Sequence, residues 1–203
     1  MPTAESHRRL RRNFERIIVT TVDTPAAAGI APALRQLYLV RFAFAIVWAG
    51  LVFATKSELG ALGIALVVIY PLFDVAAAVW DSRSSSDNEQ VRSLQFNIAI
   101  SLIAAVGLAI AGASGVPAVL RVWGAWAIIS GIVQLIVAVK RRAMGGQWPM
   151  ILSGSISVLA GANFVASASG TDPKLSGVAG YAVLGGIFFL VSALRLGRAA
   201  KES

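Results

Sequence analysis

The sequence predicts an all-α protein: a polytopic membrane protein whose six transmembrane helices form three repeated helical hairpins. Three observations carry that prediction. First, the 203 residues are 57% apolar and 14% charged, with a mean hydropathy of +0.73; soluble chains carry roughly 25% charged residues. Second, the apolar residues fall into six blocks of about the 20 residues that a helix needs to cross a hydrocarbon core. Third, two unrelated sets of residues recur at one spacing. Tyr70, Trp126 and Tyr181 are 56 and 55 positions apart in the even spans, and Gly50, Gly107 and Gly161 are 57 and 54 apart in the odd ones. A fixed spacing of this kind is the signature of a duplicated structural unit.

The chain divides into a basic leader and linker (1–34), a membrane domain (35–198) and a short charged tail (199–203). In the leader, Leu10, Phe14, Ile17 and Ile18 fall at i, i+4, i+7 and i+8, with Arg8, Arg9, Arg11 and Arg12 on the other faces. That pattern predicts a short amphipathic helix lying on anionic lipid headgroups. Arg11, Arg12 and Phe14 also resemble part of a twin-arginine signal, but the apolar run Ile17–Val22 is too short and too rich in Thr for a signal core. Pro25, Gly29 and Pro32 all oppose helix propagation, so 24–32 reads as a linker.

Spans follow at about Gln36–Thr55, Ala61–Trp80, Ser93–Gly112, Pro117–Val139, Trp148–Ala168 and Leu175–Leu194. Pro71 predicts a kink in the second. Asp81–Arg92 reads as the most polar loop, and Lys140, Arg141 and Arg142 end the fourth span. Trp80 and Trp148 at one boundary and Trp123 at the other read as interface anchors. Small residues form packing faces on span five (Ser153, Ser157, Gly161) and span six (Gly177, Gly180, Gly185, Gly186). Such faces also suit a narrow pore.

Orientation follows from a count. The leader, the second and fourth loops and the tail hold fourteen Lys and Arg, and the opposite loops hold Lys56 and Lys174. The positive-inside rule then predicts that both termini are cytoplasmic. An even number of spans requires the same arrangement. The net charge of +8 is thereby explained without a nucleic-acid partner.

Composition also narrows the chemistry. Cys is absent and the one His, His7, lies in the leader, which removes thiolate nucleophiles and imidazole ligands from the membrane. Asp74 is the one acid well inside a span and no span contains Lys, so neither paired carboxylates nor a nucleophile with its base is available. A non-enzymatic protein without cofactor or metal is expected.

Arg41 near the start of span one, Tyr70 followed four residues later by Asp74 in span two, and the run from Gly145 through Trp148 and Gly154 to Gly161 resemble the HdeD family. Phe73 with Asp74, and Ser130 with Gly131, are similar to that family's recurrent position before an aliphatic run ending in Arg or Lys. The likeness covers roughly 36–198. It implies a bacterial inner-membrane protein linked to acid or envelope stress, with no established catalytic residues.

The residues themselves point to a polar layer. Arg41 and Asp74 each lie six residues inside their spans, roughly 9 Å deep at 1.5 Å per residue, and Asn97, Gln134 and Ser153 fall near that depth. Intramembrane charges pair or face a wet cavity. Two readings follow. In one, Arg41 snorkels to the headgroups while Asp74 bonds a neighbour and locks the bundle. In the other, the layer lines a cytoplasm-facing cavity that takes a proton, ion or small polar solute, as in a small transporter or channel. A third expectation is a structural subunit that forms a homo-oligomer or binds partner membrane proteins through its small-residue faces.

Overall fold

The computed structural model describes residues 25–55, 59–84, 88–140 and 148–202. Among them the regular structure is entirely helical: α1 Pro25–Ala54, α2 Ala61–Ser84, α3 Asn88–Gly112, α4 Val116–Lys140, α5 Trp148–Ser167 and α6 Ser176–Glu202. Each contains a stretch of 20 to 25 residues long and apolar enough to cross a membrane. The largest side chains on the outer surface are also apolar, with Val47, Ile103, Ile110 and Leu159 all more than 60% exposed. A surface of that kind is stable against lipid and not against water. The chain is therefore a six-span helical membrane protein. The leader residues Arg8 to Ile18 and the basic run at Arg141 and Arg142 lie outside the described residues.

Several boundaries differ from the sequence reading. The expected linker at 24–32 is the first turns of α1, with Pro25 as its first residue and Pro32 inside it. Proline at the first helical position loses nothing, because that N–H has no helical acceptor. Pro32 removes one bond within a run of helix-forming alanines. The expected loop Asp81–Arg92 is also largely helical, since α2 continues to Ser84 and α3 starts at Asn88. Polar residues end a membrane span without ending the helix, and 81–84 and 88–92 simply extend beyond the apolar stretch. The tail is a continuation of α6 for the same reason. Helix α2 runs unbroken through the buried Pro71, which leaves the Val67 carbonyl without its helical donor. One residue earlier, the Leu66 carbonyl accepts a 2.7 Å bond from the Trp48 indole N–H.

The helices pack in chain order and α6 closes on α1, giving a ring. The closest seams join α2 to α3, α4 to α5 and α6 to α1, while the two helices within each hairpin touch less, α5 and α6 least of all. Glycine explains the α4–α5 seam. Gly124 faces Gly161 and Gly131 faces Gly154, and a Cβ on any of the four would lie 2.6 to 2.9 Å from the facing carbonyl oxygen. Backbones this close gain dispersion contacts that larger side chains would prevent. Gly186 fits similarly against Ala45 and Phe42 of α1, but Gly180 and Gly185 meet nothing within 4 Å. The span-six glycines are thus only partly a packing face.

The core occupies the half of the ring opposite the chain ends. Trp48, Val67, Leu108, Leu120, Trp123, Leu175 and Val178 are almost wholly buried there. Trp123 is therefore a core residue and not an interface anchor, whereas Trp80 and Trp148 are 57% and 79% exposed. The ring of Trp123 stacks 5.4 Å from Trp48 and its edge meets Trp126 at 5.4 Å. Tyr70 joins both Trp48 and Trp123. This aromatic layer closes one end of the space described next.

Candidate functional site: a polar cavity inside the ring

Asp74 gathers three donors from two helices. Arg41 Nη2 of α1 lies 3.1 Å from its Oδ1. Asn97 Nδ2 and Ser101 Oγ, both on α3, donate to its Oδ2 at 2.7 and 2.9 Å. Ser101 Oγ in turn accepts the Trp126 indole N–H of α4 at 3.2 Å. The three donors satisfy both carboxylate oxygens in a poorly solvated place. Arg41 does not snorkel to the headgroups: its guanidinium sits over the Phe189 ring at 5.0 Å while one nitrogen pairs with Asp74. The pair is largely but not fully enclosed, with side chains 17% and 22% exposed.

All five residues of the expected layer, Arg41, Asp74, Asn97, Gln134 and Ser153, line one cavity of about 370 Å³. It extends from the Asp74 level past Asp81 and Ser93, toward the end of the bundle where α1 begins and α6 ends. On the other side it stops at Trp126 and the aromatic layer. The volume is that of a small-ligand pocket, above about 300 Å³, and about a dozen waters at ~30 Å³ each would fill it. Of the lining residues, Arg41 and Ser130 each have a buried polar atom without a hydrogen-bond partner, Nε and Oγ, as does Trp123 Nε1 in the aromatic layer. Buried donors without partners cost about 1–3 kcal/mol each.

Sequence reasoning missed Ser101, Ser130, Asp81 and Phe189 as members of this site. A signal for two of them was present. Arg41, Asn97 and Ser153 are spaced 56 apart, and Asp74, Ser130 and Gly185 are spaced 56 and 55. The layer is thus one pair of repeat positions seen three times around the ring, and all six residues line the cavity. A second repeated contact lies one turn deeper. Ser101 bonds Trp126, and at the equivalent place Ser157 Oγ and the Tyr181 hydroxyl are 2.8 Å apart. In the first hairpin the corresponding residues are Ala45 and Tyr70, so the serine hydroxyl is missing there.

The described residues hold no cluster of His, Asp or Glu able to bind a metal ion. Comparison with described protein families, characterised proteins and solved structures finds no match to this chain.

Proposed function

We propose that the protein is a non-enzymatic solute-binding membrane protein of the small-transporter type, taking a small polar or charged solute into the ring from the end that carries its termini. One observation carries the reading: six equivalent repeat positions, Arg41 and Asp74 among them, converge on one cavity. A layer serving only to lock the bundle would leave no such volume, because the surrounding helices would close on it. The aromatic layer beyond Trp126 makes the site a one-sided cavity, not an open channel, so transport would require that layer to rearrange. The fourteen-to-two charge count supports a cytoplasmic opening. The HdeD resemblance adds a bacterial inner membrane and a link to acid or envelope stress, on the strength of the sequence segments alone.

The absence of cysteine makes the test clean. A Ser130→Cys variant in membranes should react with a small water-soluble methanethiosulfonate, while Ala182→Cys, in the core, should not. Proteoliposomes should then show counterflow for one class in a panel of small ammonium, carboxylate and neutral polar solutes, lost in both Arg41→Ala and Asp74→Ala. An unreactive Ser130→Cys variant, with no flux for any class, would return the layer to a purely structural role.

A further inference from the structure

The three hairpins fill the centre of the ring unequally. At the two repeat positions that line the cavity, the side chains shrink from one hairpin to the next: Arg41, Asn97 and Ser153 on the odd helices, Asp74, Ser130 and Gly185 on the even ones. The first hairpin supplies a long guanidinium side chain and a carboxylate. The third supplies one hydroxymethyl group and a hydrogen atom. Close-packed interiors are left with space where side-chain volume is missing, so the empty volume belongs over α5 and α6. The packing agrees. Those two helices touch each other least of all neighbours in the ring, and a second cavity of about 560 Å³ also lies against Met150 and Ser153 of α5 and Phe188 and Phe189 of α6.

Gly185 is turned toward this space. It shares a helix face with Phe188 and Phe189, three and four residues further on, and all three line the inner cavity. A Cβ on Gly185 would meet nothing within 4 Å, whereas one on its neighbour Gly186 would press on Ala45 of α1 at 3.2 Å. Helix packing therefore does not require a glycine at 185. At the level of the polar layer, the uncommitted hydrogen-bonding side chains lie on this side too. Arg41 Nη2, Asn97 Nδ2 and Ser101 Oγ are engaged with Asp74, and Arg41 Nε and Ser130 Oγ are buried. The half-buried Gln134 and Ser153 side chains line the cavity and make no hydrogen bond among the described residues.

Resting on the solute-binding reading above, we propose that the solute sits against the third hairpin, where Gly185 limits its size and Gln134 holds it by hydrogen bonds. The Gln134 carboxamide offers both donors and an acceptor, and the Ser153 hydroxyl adds one more group of each kind. Arg41 and Asp74, bonded to each other, face the solute from the other side of the cavity. Any side chain at 185 takes its volume directly from this seat. The position is thus a specificity determinant and not a packing one.

The test uses the full chain in lipid nanodiscs with Ser153→Cys as a reporter beside the seat. The chain has no cysteine of its own, so aminoethyl methanethiosulfonate should label this one thiol. Adding Gly185→Leu should all but stop labelling, because the isobutyl group occupies the space from which the reagent attacks, and Gly185→Ala should slow it less. Gly180→Leu, which also enters open space but lies outside both cavities, should leave the rate unchanged. Acetamide, acetate and methylammonium, one probe of each charge, are then tried as protectants. At least one should slow labelling, and adding Gln134→Leu should weaken that protection about threefold to tenfold, the scale of one hydrogen bond. A labelling rate indifferent to both Gly185→Ala and Gly185→Leu overturns the size assignment. Protection unchanged by Gln134→Leu, or absent with all three probes while the thiol still reacts, overturns the seat and leaves the water-filled cavity standing. A Ser153→Cys thiol inert to the reagent with no protectant present removes that cavity, and with it the broader reading.

Discussion

At the residue scale, Asp74 joins three polar side chains, and its removal strands Arg41, Asn97 and Ser101 together. Breaking a largely buried pair from one side costs more than removing both partners, because the remaining charge is left without compensation. Partial exposure of Arg41 and Asp74 reduces that cost to about 1–3 kcal/mol. Thermal unfolding in detergent should therefore show Asp74→Ala as the more damaging single substitution and Arg41→Ala as the milder one. The double mutant should recover part of the sum. Strict additivity across the cycle would contradict a coupled pair. Asp74→Asn, which keeps an acceptor for Asn97 or Ser101 but not the charge, should fall between wild type and Asp74→Ala.

At the element scale, the tightest seam depends on the absence of side chains. Gly161→Ala would set a Cβ 2.6 Å from the Gly124 carbonyl oxygen, with Ile128 also within 3 Å. Backbone cannot give way as a flexible side chain does, so overpacking should cost about 1–3 kcal/mol. Gly180→Ala is the control: nothing lies within 4 Å, and helix propensity favours Ala by up to about 1 kcal/mol. The two substitutions should shift the melting temperature in opposite directions. A neutral Gly161→Ala would mean that α4 and α5 stand further apart than described. The leader makes a separate prediction at this scale. A peptide of residues 5–22 should become helical by circular dichroism on anionic vesicles and lose that helicity in high salt, since each basic residue contributes about 1 kcal/mol near such a surface. Disorder on those vesicles would reduce it to a solvated tail.

At the scale of the whole molecule, the repeat and the topology make one prediction together. Reporter fusions after Ser203 and at 85–87 should report the cytoplasm, and fusions in 169–174 should report the outside. An external C-terminus would reverse the charge argument, and the cavity would then open away from the cytoplasm. The ring geometry adds a functional asymmetry. Three equivalent pairs of positions surround the cavity, but only the first pair, Arg41 with Asp74, is charged; the others are Asn97 with Ser130 and Ser153 with Gly185. The cavity therefore has one charged side facing a weakly polar one.

Six helices, their order and the depth of the charged residues were legible in the sequence for a simple physical reason. A bilayer imposes a length on every span and a cost on every charge, and both can be counted along one dimension. Arg41 and Asp74 could be assigned a common level because rise per residue is constant. Counting along the membrane normal says nothing about rotation around it. That is why Trp123, near the end of its span, read as an anchor and proved to be core, and why Arg41 could equally have snorkelled outward. The helix ends at Pro25, Ser84 and Asn88 were misjudged because apolar length measures the membrane and not the helix. Tertiary packing decided the rest. The glycine seam at Gly124, Gly131, Gly154 and Gly161 and the loose α5–α6 pair turn a layer of polar residues into a walled space, because side-chain facing is set by which backbones can approach most closely.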